Sequence, residues 1–242
     1  MSGSSCGVAE SPEVSGKLFL TLLRITLENR IVSVDELSCA AAVPRARVQA
    51  FLRGLERGGF LSRSGRGFLV KPLGRMAVAL QAIRAGVDVE RAARFLSWRE
   101  FEQLAVEVLE ANGYCAAGNF RFKHGGRRFE VDVAGYRGRL LLCVDCKHWL
   151  HGWSRGRIRR ASSSHMSRVR ALSHEPKFLR ARFKLESAGE IMLLPMLLTL
   201  ADVADRVVEG VPIVSILRFR SFLHELPSFL NDLAGVVVEV GR

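Results

Sequence analysis

Asp132, Asp145 and Lys147 are the side chains whose types and spacing could do chemistry together. They lie in the stretch RRFEVDVAGYRGRLLLCVDCKHW, which reads as two β-strands joined by a tight turn. In the first strand, Phe129, Val131 and Val133 alternate with Glu130 and Asp132, so the two acids share one face. In the second, Leu140 to Val144 is apolar on both faces, the mark of a strand inside a sheet. Its end sets Asp145 and Lys147 on one face, about 7 Å apart along the strand. The midpoint between positions 132 and 145 falls at Gly138, within Tyr136-Arg137-Gly138-Arg139. A hairpin centred there sets Asp132 opposite Asp145. Carboxylates packed that closely repel, and a divalent cation is a common remedy. Glu130 shares the face of Asp132 but lies one strand step too far to join them.

The elements that must position these residues can be read along the chain. Residues 1–15 are small and polar and are expected to be a disordered tail, with no apolar core of a secretion signal. Lys17 to Asn29 has helical apolar spacing. Ser33-Val34-Asp35-Glu36 spells a capping box for a second helix, and Pro44 opens a third that runs to Arg57. Two short apolar runs around Ser64-Gly65-Arg66-Gly67 predict a small β-hairpin, followed by a helix over Pro72 to Ala85. Residues 87–97 read as a connecting helix. Trp98 to Asn112 carries a stripe of Phe101, Leu104, Ala105, Val108 and Leu109, with Glu102 near its start and Gly113 as its C-cap. A strand over Tyr114 to Phe122 leads into the central hairpin. Trp149 to Arg160 reads as a loop, and a helix over Ala161 to Leu172 presents His165 as a solvated residue. Two apolar strands, Ile191 to Leu200 and Val211 to Ile216, precede two short helices, Phe219 to Leu223 and Pro227 to Leu233.

Composition narrows the partners. The formal net charge is +12, and residues 151–185 hold ten basic side chains against one acid. Such a block beside an acidic site predicts a polyanion. Arg outnumbers Lys 30 to 6, and its planar fork suits phosphate. No apolar stretch reaches the length of a membrane span, so no membrane partner is expected. Five scattered cysteines fit a reducing compartment, so a cytoplasmic protein is expected, nucleoid-associated if its polyanion is DNA. Cys143 and Cys146 face opposite ways on a strand, which excludes a zinc knuckle.

Three helices followed by a basic hairpin resemble the winged helix-turn-helix family. That resemblance assigns residues 16–86 to a small DNA-binding domain. It implies that Arg45, Arg47, Gln49 and Arg53 on the third helix could enter a major groove, with Arg63 and Arg66 on the wing. Winged helices also serve as dimerisation or protein-docking modules, so a homodimer stays open.

The order of the remaining elements is helix with an early Glu, strand, strand with Asp, strand ending Asp-x-Lys, helix, strand, strand. This is similar to the PD-(D/E)XK nuclease superfamily, nearest to archaeal Holliday-junction resolvases and Mrr-type endonuclease domains. Phe101-Glu102-Gln103-Leu104 through Asn112-Gly113-Tyr114 resembles their opening helix. The likeness covers roughly residues 98–225 and implies an α/β, restriction-endonuclease-like mixed sheet flanked by helices in a domain over residues 98–242. It implies Asp132 and Asp145 as ligands of Mg2+ or Mn2+, Glu102 as a further ligand, and Lys147 as the group that orients or deprotonates the attacking water. DNA is then the expected substrate, with Arg157, Arg159, Arg160 and Arg168 contacting it. The Pro of the family's motif is absent, since Val131 precedes Asp132. Trp149 and Trp153 could stack on bases or pack in a core. Two further readings stay open: a DNA-binding regulator or architectural protein that does not cleave, and a nuclease acting on RNA.

Overall fold

The computed structural model describes residues 12–27, 31–70, 74–88, 91–92, 94–147, 154–185, 189–204 and 206–241. The chain divides into two compact units, Met1–Glu100 and Phe101–Arg242.

The first unit begins with α1 (Pro12–Ile25), so the tail expected over 1–15 is already helical from residue 12. Its apolar side, with Leu18, Leu22 and Leu23, is fully buried. There follow β1 (Ile31–Val32), α2 (Val34–Ala41), α3 (Arg45–Arg57), β2 (Leu61–Ser64), β3 (Gly67–Val70) and α4 (Gly74–Arg84). The capping box forms as spelled: Ser33 Oγ accepts the Glu36 N–H, and the Glu36 carboxylate accepts the Ser33 N–H. Helix α3 buries Val48, Phe51, Leu52 and Leu55, each burial stabilising by roughly 1.5–3 kcal/mol, and leaves its other side exposed. The small antiparallel sheet has the order β1-β3-β2. The short strand β1 is an addition to the sequence reading. Of the helix expected over 87–97, Arg91 and Ala92 are helical, and residues 89, 90 and 93 lie outside the described residues.

Arg75, only 3% exposed, ties this unit together. Its guanidinium pairs with Glu100 at 2.9 Å and donates to the Leu23 carbonyl at 2.7 Å, Thr26 Oγ1 at 2.6 Å and the Phe95 carbonyl. Glu100 also closes a second capping box with Ser97, which starts the next helix.

The second unit is built on a mixed seven-stranded sheet flanked by helices. Its elements are α5 (Trp98–Ala111, whose first turn holds the boundary between units), β4 (Cys115–His124), β5 (Arg127–Arg137), β6 (Leu140–Lys147), α6 (Arg155–Ser173), α7 (Pro176–Phe183), β7 (Gly189–Thr199), β8 (Val207–Val208), β9 (Val211–Ser215), α8 (Phe219–Phe229) and β10 (Val236–Val240). Strand order is β4-β5-β6-β7-β9-β8. β4, β5 and β6 run antiparallel, while β6, β7 and β9 are parallel, which requires the crossover through α6 and α7. β10 pairs with the first half of β7 and β9 with its last three residues. β7 is therefore paired on both edges and almost wholly buried, which explains its unbroken apolar run.

Several boundaries differ from expectation. α6 begins at Arg155, capped by Ser154 Oγ on the Arg157 N–H, so the arginine run expected in a loop lies on a helix. The basic stretch around Lys177 is the helix α7, and α8 runs through Pro227 where two helices were expected. Strands β8 and β10 were not expected.

Arg75→Ala leaves the buried Glu100 carboxylate without its cation and the Leu23 and Phe95 carbonyls without this donor. Breaking such a pair costs about 3–5 kcal/mol. Amide hydrogen exchange over α1 and α4 should accelerate accordingly, and unchanged protection would contradict the assignment.

Candidate functional site

The β5–β6 hairpin turns through Gly138 and Arg139, with Gly138 at φ +62, a conformation suited to glycine at the first position of a tight turn. Its register runs from Arg137↔Leu140 to Val133↔Val144. One further step would set Asp132 opposite Asp145. The ladder stops short of that step. The Asp132 carboxylate takes over, its Oδ2 accepting the Cys146 N–H at 2.8 Å.

A slip in the pleat explains why the backbone stops pairing there. Along a regular strand, residues two apart face the same way. On β4, however, a side chain at Gly118 would point at Val106 of α5, while Phe120 packs on Phe178 and Phe183 of α7. On β5, Gly135 faces Leu109 of α5 and Tyr136 faces Phe183, whereas odd-numbered Phe129 stacks on Phe122 on the α7 side. Between Gly118↔Val133 and Phe120↔Val131 stands Asn119, in the left-handed region at φ +51. Asp132 sits at this irregularity.

Asp145 is 1% exposed at the end of the buried strand β6. Its Oδ1 lies 2.7 Å from Arg168 Nη2 and its Oδ2 lies 2.6 Å from Lys147 Nζ. Arg168 also donates from Nη1 to the Glu130 carbonyl at 3.2 Å, joining the end of β6 to β5. Helix α6 lays Ile158, Ser162, His165, Val169 and Leu172 on the sheet, a stripe at helical spacing. His165 is fully buried, and its Nε2–H donates to the Cys143 carbonyl at 2.7 Å. Glu102, 8% exposed, stands on the first turns of α5, where Phe101, Ala105 and Leu109 face inward.

The electrostatics register the crowding. Burial, then the Asp145 carboxylate, raises the pKa of Asp132 to about 6; Glu102 adds to the rise, and the Cys146 N–H and Lys147 oppose it. Burial also pushes Asp145 upward, but His165, Arg168 and Lys147 outweigh it and hold that carboxyl below its ordinary range. Burial lowers His165 to about 4, so its imidazole is neutral at pH 7. The Cys146 thiol is pushed well up by burial and by Asp132, Glu102 and Asp145, which keeps it protonated and inert.

Glu102, Asp132, Asp145 and Lys147 are thus brought to one strand end. Glu130 is not: its carboxylate pairs with Arg121 at 2.9 Å. Among the described residues, no group of three or more His, Cys, Asp or Glu side chains is arranged to hold a metal ion as it stands. Arg168, expected to contact DNA, is instead turned inward on Asp145, and His165, expected in solvent, is buried beneath it. The spacing His165-x-x-Arg168 could have signalled one helix face, but the missing start of α6 hid which face looked inward. Asn119 and Cys146 were also missed, although Gly118-Asn119 inside a strand pattern is a signal of irregular pairing. Arg157, Arg159 and Arg160 are exposed on the first turns of α6, with Arg159 3.4 Å from Glu209. In the first unit Arg45, Arg47, Gln49 and Arg53 line the exposed side of α3, where Arg45 pairs with Asp35. Arg63 lies over the Phe68 ring and pairs with Glu56, and Arg66 is exposed in the hairpin turn. Trp149 and Trp153 lie outside the described residues.

No family model matches the chain. An uncharacterized protein from Archaeoglobus fulgidus is 28% identical over 149 residues, covering 60% of this chain and 98% of the relative. Among solved structures, the crystal structure of a protein from Vibrio cholerae matches with a TM-score of 0.32 and 13% identity, covering 92% of this chain and 58% of that one. No helix among the described residues is long and apolar enough to cross a membrane.

The raised pKa of Asp132 has a defined sign for stability. The folded state holds this proton more tightly than the unfolded state, so ionisation costs stability as pH rises from about 4 to about 6, and the full penalty remains above that. Asp132→Asn keeps the acceptor for Cys146 and removes the charge. It should raise the melting temperature at pH 8 without metal, raise it about half as much at pH 5, and leave it nearly unchanged near pH 3, below both proton affinities. A lower melting temperature at pH 8 would contradict the crowding.

Proposed function

We propose that this chain is a metal-dependent endonuclease that hydrolyses phosphodiester bonds in DNA. The supporting observation is the convergence of Asp132, Asp145 and Lys147 from two strands at one sheet end, with Glu102 beside them. The donor set is oxygen only, which suits magnesium or manganese. Asp132, kept near pKa 6 because burial and neighbouring acids outweigh the Cys146 N–H and Lys147, has the negative charge that such an ion relieves. Asp132 and Asp145 would hold the ion, with Glu102 as a further ligand, direct or through water. When bound, the ion lowers the pKa of water and neutralises charge developing on the phosphate.

The chain's own residues supply the rest. Arg168 fixes the Asp145 carboxylate from one side, and neutral His165 braces the strand behind it through the Cys143 carbonyl. Lys147, on the same face as Asp145, holds a proton within reach of the attacking water and offers positive charge to the phosphate. The first unit acts in this reading as a winged helix-turn-helix that docks on the duplex. Its support is the succession α2-α3-β2-β3 and the exposed arginines of α3.

One observation favours a second reading. Both oxygens of Asp145 already carry cationic partners, so the site is partly neutralised without a metal. A DNA-binding protein that does not cleave would be satisfied by that arrangement.

Nicking of supercoiled DNA separates the two. Wild type should nick with magnesium and not with EDTA. Asp145→Asn should abolish nicking while DNA binding survives, and Lys147→Ala should lower it by about 10²-fold or more. Equal nicking by wild type and Asp145→Asn would remove the endonuclease reading and leave the binding one.

A further inference from the structure

β6 pairs with β5 only from Val133 to Arg137, so β5 before Asp132 is joined by backbone pairing to β4 alone. Residues 119–132 therefore form a two-stranded arm that leaves the sheet at the candidate site. The arm is anchored on one side. Phe120 packs on Phe178 and Phe183 at 5.5 Å each, and Phe122 stacks on Phe129 at 5.3 Å. Its other side carries Arg121 and Lys123 on β4 and Arg128 on β5, all exposed, with Arg127 exposed beside the tip. Arg121, Lys123 and Arg128 border a groove of about 500 Å³, which also meets Glu130 and the edges of Phe122 and Phe129.

The pairing on this outer side is unusual. Arg121 stands opposite Glu130 and is bonded to it, but Lys123 stands directly opposite Arg128. Like charges directly across a ladder destabilise it. Cations on β4 recur every second residue, roughly 7 Å apart, and the row ends at the irregularity that holds Asp132. Arg168 links the two by bonding both the Glu130 carbonyl and Asp145.

We propose that the outer side of this arm is a phosphate-contacting surface that receives the backbone of duplex DNA and leads one strand to Asp132. The choice of DNA rests on the endonuclease reading; the polyanion requirement rests on the arm itself. Protection of an edge strand also uses charge, but it gives no reason to face two cations across the same ladder.

The test measures binding of the full chain to a blunt duplex oligonucleotide in EDTA as salt is varied, so that it does not depend on cleavage. Replacing Arg121, Lys123 and Arg128 together with Gln should flatten the log–log slope by about 2.7, three contacts at about 0.9 each. Lys123→Glu alone should act in opposite directions on two readouts, raising the melting temperature without DNA and weakening DNA binding. An unchanged slope in the triple variant overturns the proposal. So does a triple variant that aggregates with its DNA slope intact, which would mark the charges as edge protection. Loss of binding to phosphatidylserine vesicles with the DNA slope intact overturns it as well. A wild type that fails to nick while the triple variant loses slope sinks the endonuclease reading and leaves the arm in place.

Discussion

Two carboxylates forced together at the end of a buried strand are the constraint on which the second unit depends. Asp145 is carried there by β6, whose apolar run fixes it between β5 and β7. Asp132 is carried there by the hairpin. The protein meets the resulting charge unevenly. Asp145 has Arg168 and Lys147, one on each oxygen. Asp132 has one backbone N–H and a weaker pull from Lys147, which burial, Asp145 and Glu102 outweigh. That asymmetry separates their proton affinities, leaving one acid ionised and the other near the titration range of a cell. Around this pair the sheet gives up its regular pairing, α6 turns a histidine and an arginine inward, and the β4–β5 arm departs.

Much of this was legible in the sequence, for physical reasons. The hairpin register follows from a single glycine able to take positive φ at the midpoint between the acids. The opening helix follows from a stripe at helical spacing and a glycine after it: Gly113 sits at φ +80, with the Tyr114 N–H bonded to the Leu109 carbonyl. The Ser33 capping box formed because both of its bonds are local. What stayed hidden was non-local. Nothing in period-two alternation announces that Asn119 will break the pleat; Glu130, read as one strand step too far from Asp132, pairs with Arg121. The inward turn of Arg168 stayed hidden because a helix started at Ala161 leaves out Ile158, the apolar residue that opens the buried stripe continued by Ser162, His165, Val169 and Leu172. β10 was missed because its five residues gain stability only from elements far away in sequence, β7 that pairs with it and the helices α6 and α7 that share its core.

The two units use charge differently. In the first, Arg75 is consumed internally by Glu100, Thr26 and the Leu23 and Phe95 carbonyls, while the arginines of α3 stay at the surface. In the second, one arginine of α6 braces the acidic pair and others face solvent. A count of basic residues therefore overstates what is free for a polyanion, and burial decides which of them remain.

Manganese titration followed by electron paramagnetic resonance tests the central claim most directly, because the free-ion signal falls as the ion is captured. The account predicts capture by the wild-type protein above about pH 6, where Asp132 is ionised, and its loss in Asp132→Asn. Equal capture by both proteins, or none by the wild type at pH 8, would contradict the claim that the crowded carboxylates form a cation site.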